Sequence, residues 1–182
     1  MELRTLRSKT GVRRLHREAA AGRRREVELA FLLQDWSDPY NVGGMYRVAD
    51  ACGAKEITLS GKTPAPPNPQ ISVTSLGHHR RVKTRVFERN DEAAKALREE
   101  GYALIAVEIT DDATCYADFK YPDKVCLVMG NEVNGVYGSV LAECEAAVFI
   151  PMTGKGRSIN VHVAAAVVAF HVLFAQPGQA QT

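Results

Sequence analysis

Four cysteines, Cys52, Cys115, Cys126 and Cys144, are scattered through 182 residues with no Cys-x-x-Cys pair among them. That spacing indicates neither a zinc site nor a disulfide framework. The expected state is reduced, buried thiols in a cytoplasmic protein. No apolar run reaches the roughly 18 residues of a membrane helix, so no membrane partner is expected. The nearest run, residues 161–175, is short and interrupted by His162 and His171. The N-terminus is rich in arginine but has no apolar core, so no secretory signal is expected. No Gly-x-Gly-x-x-Gly follows a strand-like segment, which counts against an oxidoreductase on a doubly wound sheet. Internal repeats and linkers are also missing. What is present is a chain of ordinary composition, 46% hydrophobic and 24% charged. It is long enough for one domain with a real core.

The net charge of +2 conceals an asymmetry. Residues 1–25 hold nine Lys/Arg against two acids, which leaves 14 basic against 19 acidic residues in the rest. A basic arm on a mildly acidic body suggests a polyanionic partner, most simply nucleic acid. The arm has no proline and is rich in Ala, Arg and Glu, which favour helix. Val12, Leu15 and Ala19 give it a thin apolar stripe at helical spacing. A helical arm over 1–25 and a folded domain over 26–182 are expected.

Along that domain, strand-like apolar runs alternate with helical patterns. Strands are expected at 28–33, 56–59, 85–87, 102–109, 125–129 and 146–150. Helices are expected at 43–52 (ended by Gly53), 71–76, 91–100, 136–144 and 161–174. The Asp38-Pro39 signal places a turn over 35–41. Four prolines make 61–69 a rigid loop, and 111–122 reads as loop. Several strands are wholly apolar, so the fold class is α/β, a mainly parallel sheet covered by helices on both faces.

Ligands of such sheets sit beyond the carboxyl ends of the strands. Three loops rich in Gly, Asn and Ser fall there: 38–44, 130–135 and 153–160. In the third, Pro151 stops the preceding strand. Gly154 and Gly156 are expected to supply positive φ or a close backbone approach. Ser158 and Asn160 are candidate helix caps.

The first loop continues into Asn41-Val42-Gly43-Gly44-Met45-Tyr46-Arg47. The second reads Gly130-Asn131-Glu132-Val133-Asn134-Gly135 after an apolar strand. The third is Ile150-Pro151-Met152-Thr153-Gly154 through Ser158-Ile159-Asn160-Val161. In this order they resemble the three motifs of the SpoU/TrmH family of SPOUT RNA methyltransferases, over residues 29–176. Thr74-Ser75-Leu76-Gly77 is similar to a smaller element of the same family. Three positions depart from its pattern. Gly44 stands where alanine is usual, Ile159 where leucine is usual, and His162 where a small polar residue is common.

The resemblance implies a trefoil knot at the C-terminus, a feature otherwise almost absent from proteins. It also implies a homodimer, S-adenosylmethionine (SAM) as cofactor, and 2′-O-methylation of a ribose in RNA. The short basic arm favours tRNA over rRNA. Glu108, Gly130, Asn131, Ile150, Met152, Ser158 and Ile159 would bind the cofactor. Arg47, Asn41, Glu132, Ser158 and Asn160 would serve catalysis. A free arginine is a poor base, so orienting the ribose by its neighbouring phosphate is the favoured role for Arg47. Residues 78–83 (His78, His79, Arg80, Arg81, Lys83) form a second basic cluster and a candidate RNA surface. The rival is a non-catalytic SAM- or RNA-binding dimer of the same fold. Arg47, Glu132, Ser158 and Asn160 together argue against it, because a binding module has no need of all four.

Overall fold

A computed structural model describes residue 5, residues 8–22 and residues 24–175. Arg4, Arg7 and Arg23 of the arm lie outside the described residues. The elements are α1 Lys9–Ala20, β1 Glu28–Gln34, α2 Pro39–Cys52, β2 Glu56–Ser60, α3 Pro69–Ser75, β3 Lys83–Phe87, α4 Asn90–Glu99, β4 Ala103–Val107, β5 Thr114–Cys115, β6 Lys124–Met129, α5 Gly138–Leu141, β7 Ala146–Phe149 and α6 Val161–Phe174.

The seven strands form one sheet in the order β3-β2-β1-β6-β4-β7-β5, and every pairing is parallel. The central strands are apolar at successive positions because both faces are covered. Phe31 and Leu33 of β1 pack with Leu127 of β6 under α2 and α6, against Met45, Tyr46, Ala49, Val168 and Val172. Ala30 and Leu32 pack with Val128 on the other face, under α4 and α5, against Ala93, Leu97 and Val140. Among the described residues no helix is long and apolar enough to cross a membrane.

Four local readings need correction. Helix α2 starts at Pro39, not Gly43. Asp38-Pro39 is a cap followed by a proline at the first helical position, where a missing N–H costs nothing; the Asp38 side chain accepts from Tyr40 N at 2.8 Å. Asn41 is therefore helical rather than in a loop. The loop at 111–122 contains β5, which pairs with β7 and at two residues is too short to show alternation. Helix α5 is one turn rather than 136–144, because the N–H groups of Val136 and Tyr137 are taken by side chains of the site. The cap of α6 is Asn160, which accepts from His162 N at 3.1 Å; Ser158 lies outside the helix.

The arm divides in two. Helix α1 buries none of its residues, and its stripe residue Leu15 is exposed. Arg24 and Arg25 belong instead to the body. Arg24 Nη2 donates to Cys52 O at 3.3 Å. Arg25 N donates to Leu173 O at 2.8 Å, and its guanidinium donates to Tyr121 O and Asp123 Oδ1 at 2.9 Å. Arg25 thus supplies donors to a carbonyl at the end of α6 that the helix itself leaves open.

Candidate active site

The carboxyl ends of β4, β6 and β7 open onto a cleft of about 290 Å³. That is near the lower end of the range for small-molecule pockets, roughly 300 Å³ upward. All seven residues expected to bind a cofactor line it: Glu108, Gly130, Asn131, Ile150, Met152, Ser158 and Ile159. Glu132 lines it as well, and so does Arg157, which the sequence reading did not single out.

The second loop is shaped by side chains reaching in from neighbouring strands. Asn131 and Gly135 exchange backbone hydrogen bonds of 3.0 Å, closing the loop on itself. Glu108 Oε2 accepts from Val136 N at 2.9 Å. Gln34, fully buried at the end of β1, accepts from Tyr137 N at 2.8 Å and donates to Gly135 O at 3.3 Å. Trp36 Nε1 donates to Met129 O at 3.2 Å. Gln34 and Trp36 were missed as site residues. The available signal was a single polar residue closing an otherwise apolar strand. Asn131 Nδ2 donates to Asp35 O, and its Oδ1 accepts from Val133 N and Asn134 N. Its amide thus ties the loop to the turn after β1.

Residue 130 is glycine because of the loop itself. A side chain there would meet the backbone of Gly135 and Val136, with its Cβ 2.3 Å from Gly135 C. Gly130 lines the cleft, but its bareness lets the loop close. Gly154 and Gly156 do not adopt positive φ, and no atom lies within 4 Å of a Cβ placed on Gly154. No conformational demand for glycine exists at either position.

Glu132 joins the second loop to the first. Its carboxylate accepts from Ser37 N at 2.9 Å, Ser37 Oγ at 3.2 Å, Asp38 N at 3.2 Å and Asn41 Nδ2 at 3.1 Å. Asn41 Oδ1 in turn accepts from Asn160 Nδ2 at 2.9 Å. One chain of bonds, Glu132–Asn41–Asn160, thus ties all three loops together. Burial pushes the Glu132 carboxyl up, but the Ser37 N–H, the Asn41 amide and the Asp38 N–H outweigh it and leave it below its ordinary 4.5. A lowered folded pKa means stability that is present above about 4.5 and lost as pH falls through the folded value. Glu132→Gln is expected to cost about 1 kcal/mol at pH 7, discounted for partial exposure. It is also expected to remove part of the acid-side loss; urea unfolding at pH 3 to 7 measures both.

Arg47 lies outside the cleft, on the exposed side of α2. Among the described residues its side chain has no acidic or hydrogen-bond partner. The second basic cluster is largely spoken for. His78 and Arg81 face Asp50, Lys83 pairs with Glu56 at 2.7 Å, and Ser75 bonds His79. Only Arg80 remains unpaired among the described residues. His171 packs edge-on against Tyr116 and Tyr121, and His162 packs on Gly44.

A parallel sheet with a ligand cleft at its carboxyl edge, three loops tied together beside it and an exposed arginine on the adjoining helix define an α/β domain built to hold a small molecule. The chain belongs to the SpoU rRNA Methylase family, whose model matches residues 28–170. It is 34% identical over 165 residues to the tRNA (guanosine(18)-2′-O)-methyltransferase of Thermus thermophilus, covering 91% of this chain and 84% of that protein. It is 29% identical to the 23S rRNA (guanosine(2553)-2′-O)-methyltransferase of Bacillus subtilis, covering 78% of this chain and 56% of that one. The AdoMet-bound crystal structure of an rRNA methyltransferase from Sinorhizobium meliloti superposes with a TM-score of 0.76 at 26% identity, covering 81% of this chain and 56% of that chain. The chain thus spans most of the first relative and little more than half of the other two.

Proposed function

We propose that this protein transfers the methyl group of SAM to a ribose 2′-oxygen of RNA, with tRNA favoured over rRNA. The observation that carries the reading is the convergence of all seven motif-derived cofactor residues on one cleft, bonded through Glu132, Asn41 and Asn160 to the helix bearing Arg47. The 34% identical Thermus protein, named for a tRNA ribose, supports the substrate.

The cleft suits SAM. Apolar Val107, Met129, Ile150, Ile159 and Ala164 line it beside Glu108, Ser158 and backbone groups, a mixture suited to an adenosine with a polar tail. When bound, SAM supplies a methyl already activated on a sulfonium. The protein then has to orient the hydroxyl and provide for its proton. Arg47, exposed and without a partner among the described residues, holds the phosphate beside the target ribose with its planar fork. Asn41, Glu132 and Asn160 fix the loops that carry the two halves of the site. Calorimetry with SAM, followed by labelled methyl transfer to tRNA and rRNA, tests the proposal. Absence of SAM binding overturns it, and binding without transfer to any RNA makes the protein the non-catalytic module.

Two finer features belong to the same proposal. The first is the homodimer. Helix α6 is apolar except at His162 and His171, yet Val163, Phe170 and Phe174 stay exposed; such a row calls for a cover. Sedimentation of wild type and Phe170→Glu tests it, with a monomeric wild type as the contrary result. The second is the C-terminal knot. Its support is that α6 leaves β7 and returns over β4 and β6 to α2. A crystallographic chain trace that passes through no loop would refute it. The protein works in the cytoplasm, where its RNA is.

The arm before the body is assigned to RNA. Residues 1–22 hold six basic residues against two acids, and α1 buries none of its residues. Phosphate contacts release counterions, so log affinity falls with log salt by about 0.7–0.9 per phosphate. Deleting 1–22 spares Arg24 and Arg25 and is expected to weaken RNA binding and flatten the salt slope without changing SAM affinity. A truncated protein with the wild-type slope would remove the arm from RNA binding.

A further inference from the structure

Two of the three departures from the family pattern touch each other. A Cβ placed on Gly44 would lie 3.0 Å from Cδ2, 3.1 Å from Nε2 and 3.2 Å from Cε1 of the His162 imidazole. The ring therefore rests where a side chain at residue 44 would begin. Its Nδ1 is buried and has no hydrogen-bond partner among the described residues. His162 sits two residues past Asn160, whose amide donates to Asn41. Gly44 is three residues from Asn41 and three from Arg47, and residues so spaced are neighbours on a helix surface. The start of α6 thus lies along one face of α2. Asn160 meets Asn41 and His162 meets Gly44, and Arg47 follows in the next turn.

Two charged groups act on the imidazole, Asp38 at the cap of α2 and Arg47 within that helix. Asp38 favours its protonated form and Arg47 opposes it; burial, the largest influence, also opposes it, and the ring is held below its ordinary 6.5. The other first-turn residues of α6, Val161, Val163 and Ala164, carry no charge.

We propose that His162 is a positioning residue for Arg47: its imidazole, seated on the bare backbone of Gly44, docks α6 onto α2 and braces the guanidinium toward the RNA. The neutral ring fills space beside Arg47 without competing for phosphate. A protonated ring places a second cation there, and the two repel. The pairing is reciprocal, because residue 44 must lack a side chain for His162 to seat. This inference rests on the reading of Arg47 as the arginine that meets the substrate.

The test is a double-mutant cycle with turnover followed from pH 5.5 to 8.5, using Gly44→Ala, His162→Ser and the pair. Gly44→Ala is expected to displace the ring and lower kcat about tenfold, within the range for directly coupled residues, with SAM affinity and KM for RNA little changed. His162→Ser is expected to lower kcat less and to abolish the acid-side decline in kcat. The double variant is expected to match His162→Ser, since the three atoms nearest the added methyl all belong to the ring. Losses that multiply in the double variant overturn the proposal, and so does an acid limb that survives in His162→Ser. A second measurement needs no turnover: NMR titration of the His162 ring is expected to move to higher pH in Arg47→Ala. An unmoved titration in a folded variant overturns the coupling. A wild type that methylates no RNA but shows the NMR shift removes the enzyme reading and the positioning role while leaving the contact itself.

Discussion

Arg47→Ala is expected to fold, to bind SAM as tightly as wild type, and to lose at least about a hundredfold in methyl transfer, the low end for a group that positions or neutralises charge in a transition state. Three observations separate the expected effects. Arg47 is exposed on α2, so truncating it opens no cavity. It does not line the cleft, so the cofactor loses no contact. Among the described residues no carboxylate faces it, so its charge is available to RNA. Arg47→Lys is expected to recover little, because an ammonium is a point charge without the bidentate fork that fits phosphate. Single-turnover methylation with saturating SAM and RNA, beside calorimetry for SAM, measures the two effects apart. Turnover near the wild-type rate in Arg47→Ala would take the arginine out of the mechanism. A parallel loss of SAM affinity would show that α2 and the cleft are coupled more tightly than the Glu132–Asn41–Asn160 chain suggests.

The sheet was legible because its inner strands are buried on both faces. Residues 28–33 and 125–129 carry no alternation, and that pattern belongs to parallel strands under helices. The cofactor side of the site was legible for a related reason: the glycines and amides that interrupt apolar runs fall where a parallel sheet opens to its ligands. The division of labour within the site was not legible. The resemblance assigned Asn41 and Glu132 to catalysis; what it did not show is that they bind each other and that Glu132 also accepts from the backbone of Ser37 and Asp38. The roles of Gln34 and Trp36 were hidden because a hydrogen bond to backbone about a hundred residues away leaves no local periodicity. The short pairing of β5 with β7 was hidden likewise. The contact between Gly44 and His162 joins residues 118 positions apart, read from their numbering. Each looked like a small independent departure until the two helices were laid together.

The second loop offers the sharpest contrast between two glycines. Gly130→Ala adds one carbon that would sit 2.3 Å from Gly135 C, 2.3 Å from Val136 N and 2.6 Å from Gly135 O. All three are backbone atoms, so no rotamer change relieves the overlap and the loop must open. Opening it pulls Gly135 from its paired bonds with Asn131 and from Gln34, and Val136 from Glu108. Of these, Glu108, Asn131 and Gly135 line the cleft. The expected result is a loss of at least about tenfold in SAM affinity together with about 1–3 kcal/mol of stability, the usual cost of forcing an atom into packed surroundings. For a chain of this size that is a fall of several degrees in melting temperature. Gly154→Ala supplies the comparison, since a Cβ there meets nothing within 4 Å. It is expected to leave melting unchanged and to slightly restrict the unfolded chain. Thermal melts and SAM calorimetry on both variants decide the matter. If Gly130→Ala melts and binds like Gly154→Ala, the closed loop does not shape the cleft, and the pocket must be built from the β4 and β7 sides alone.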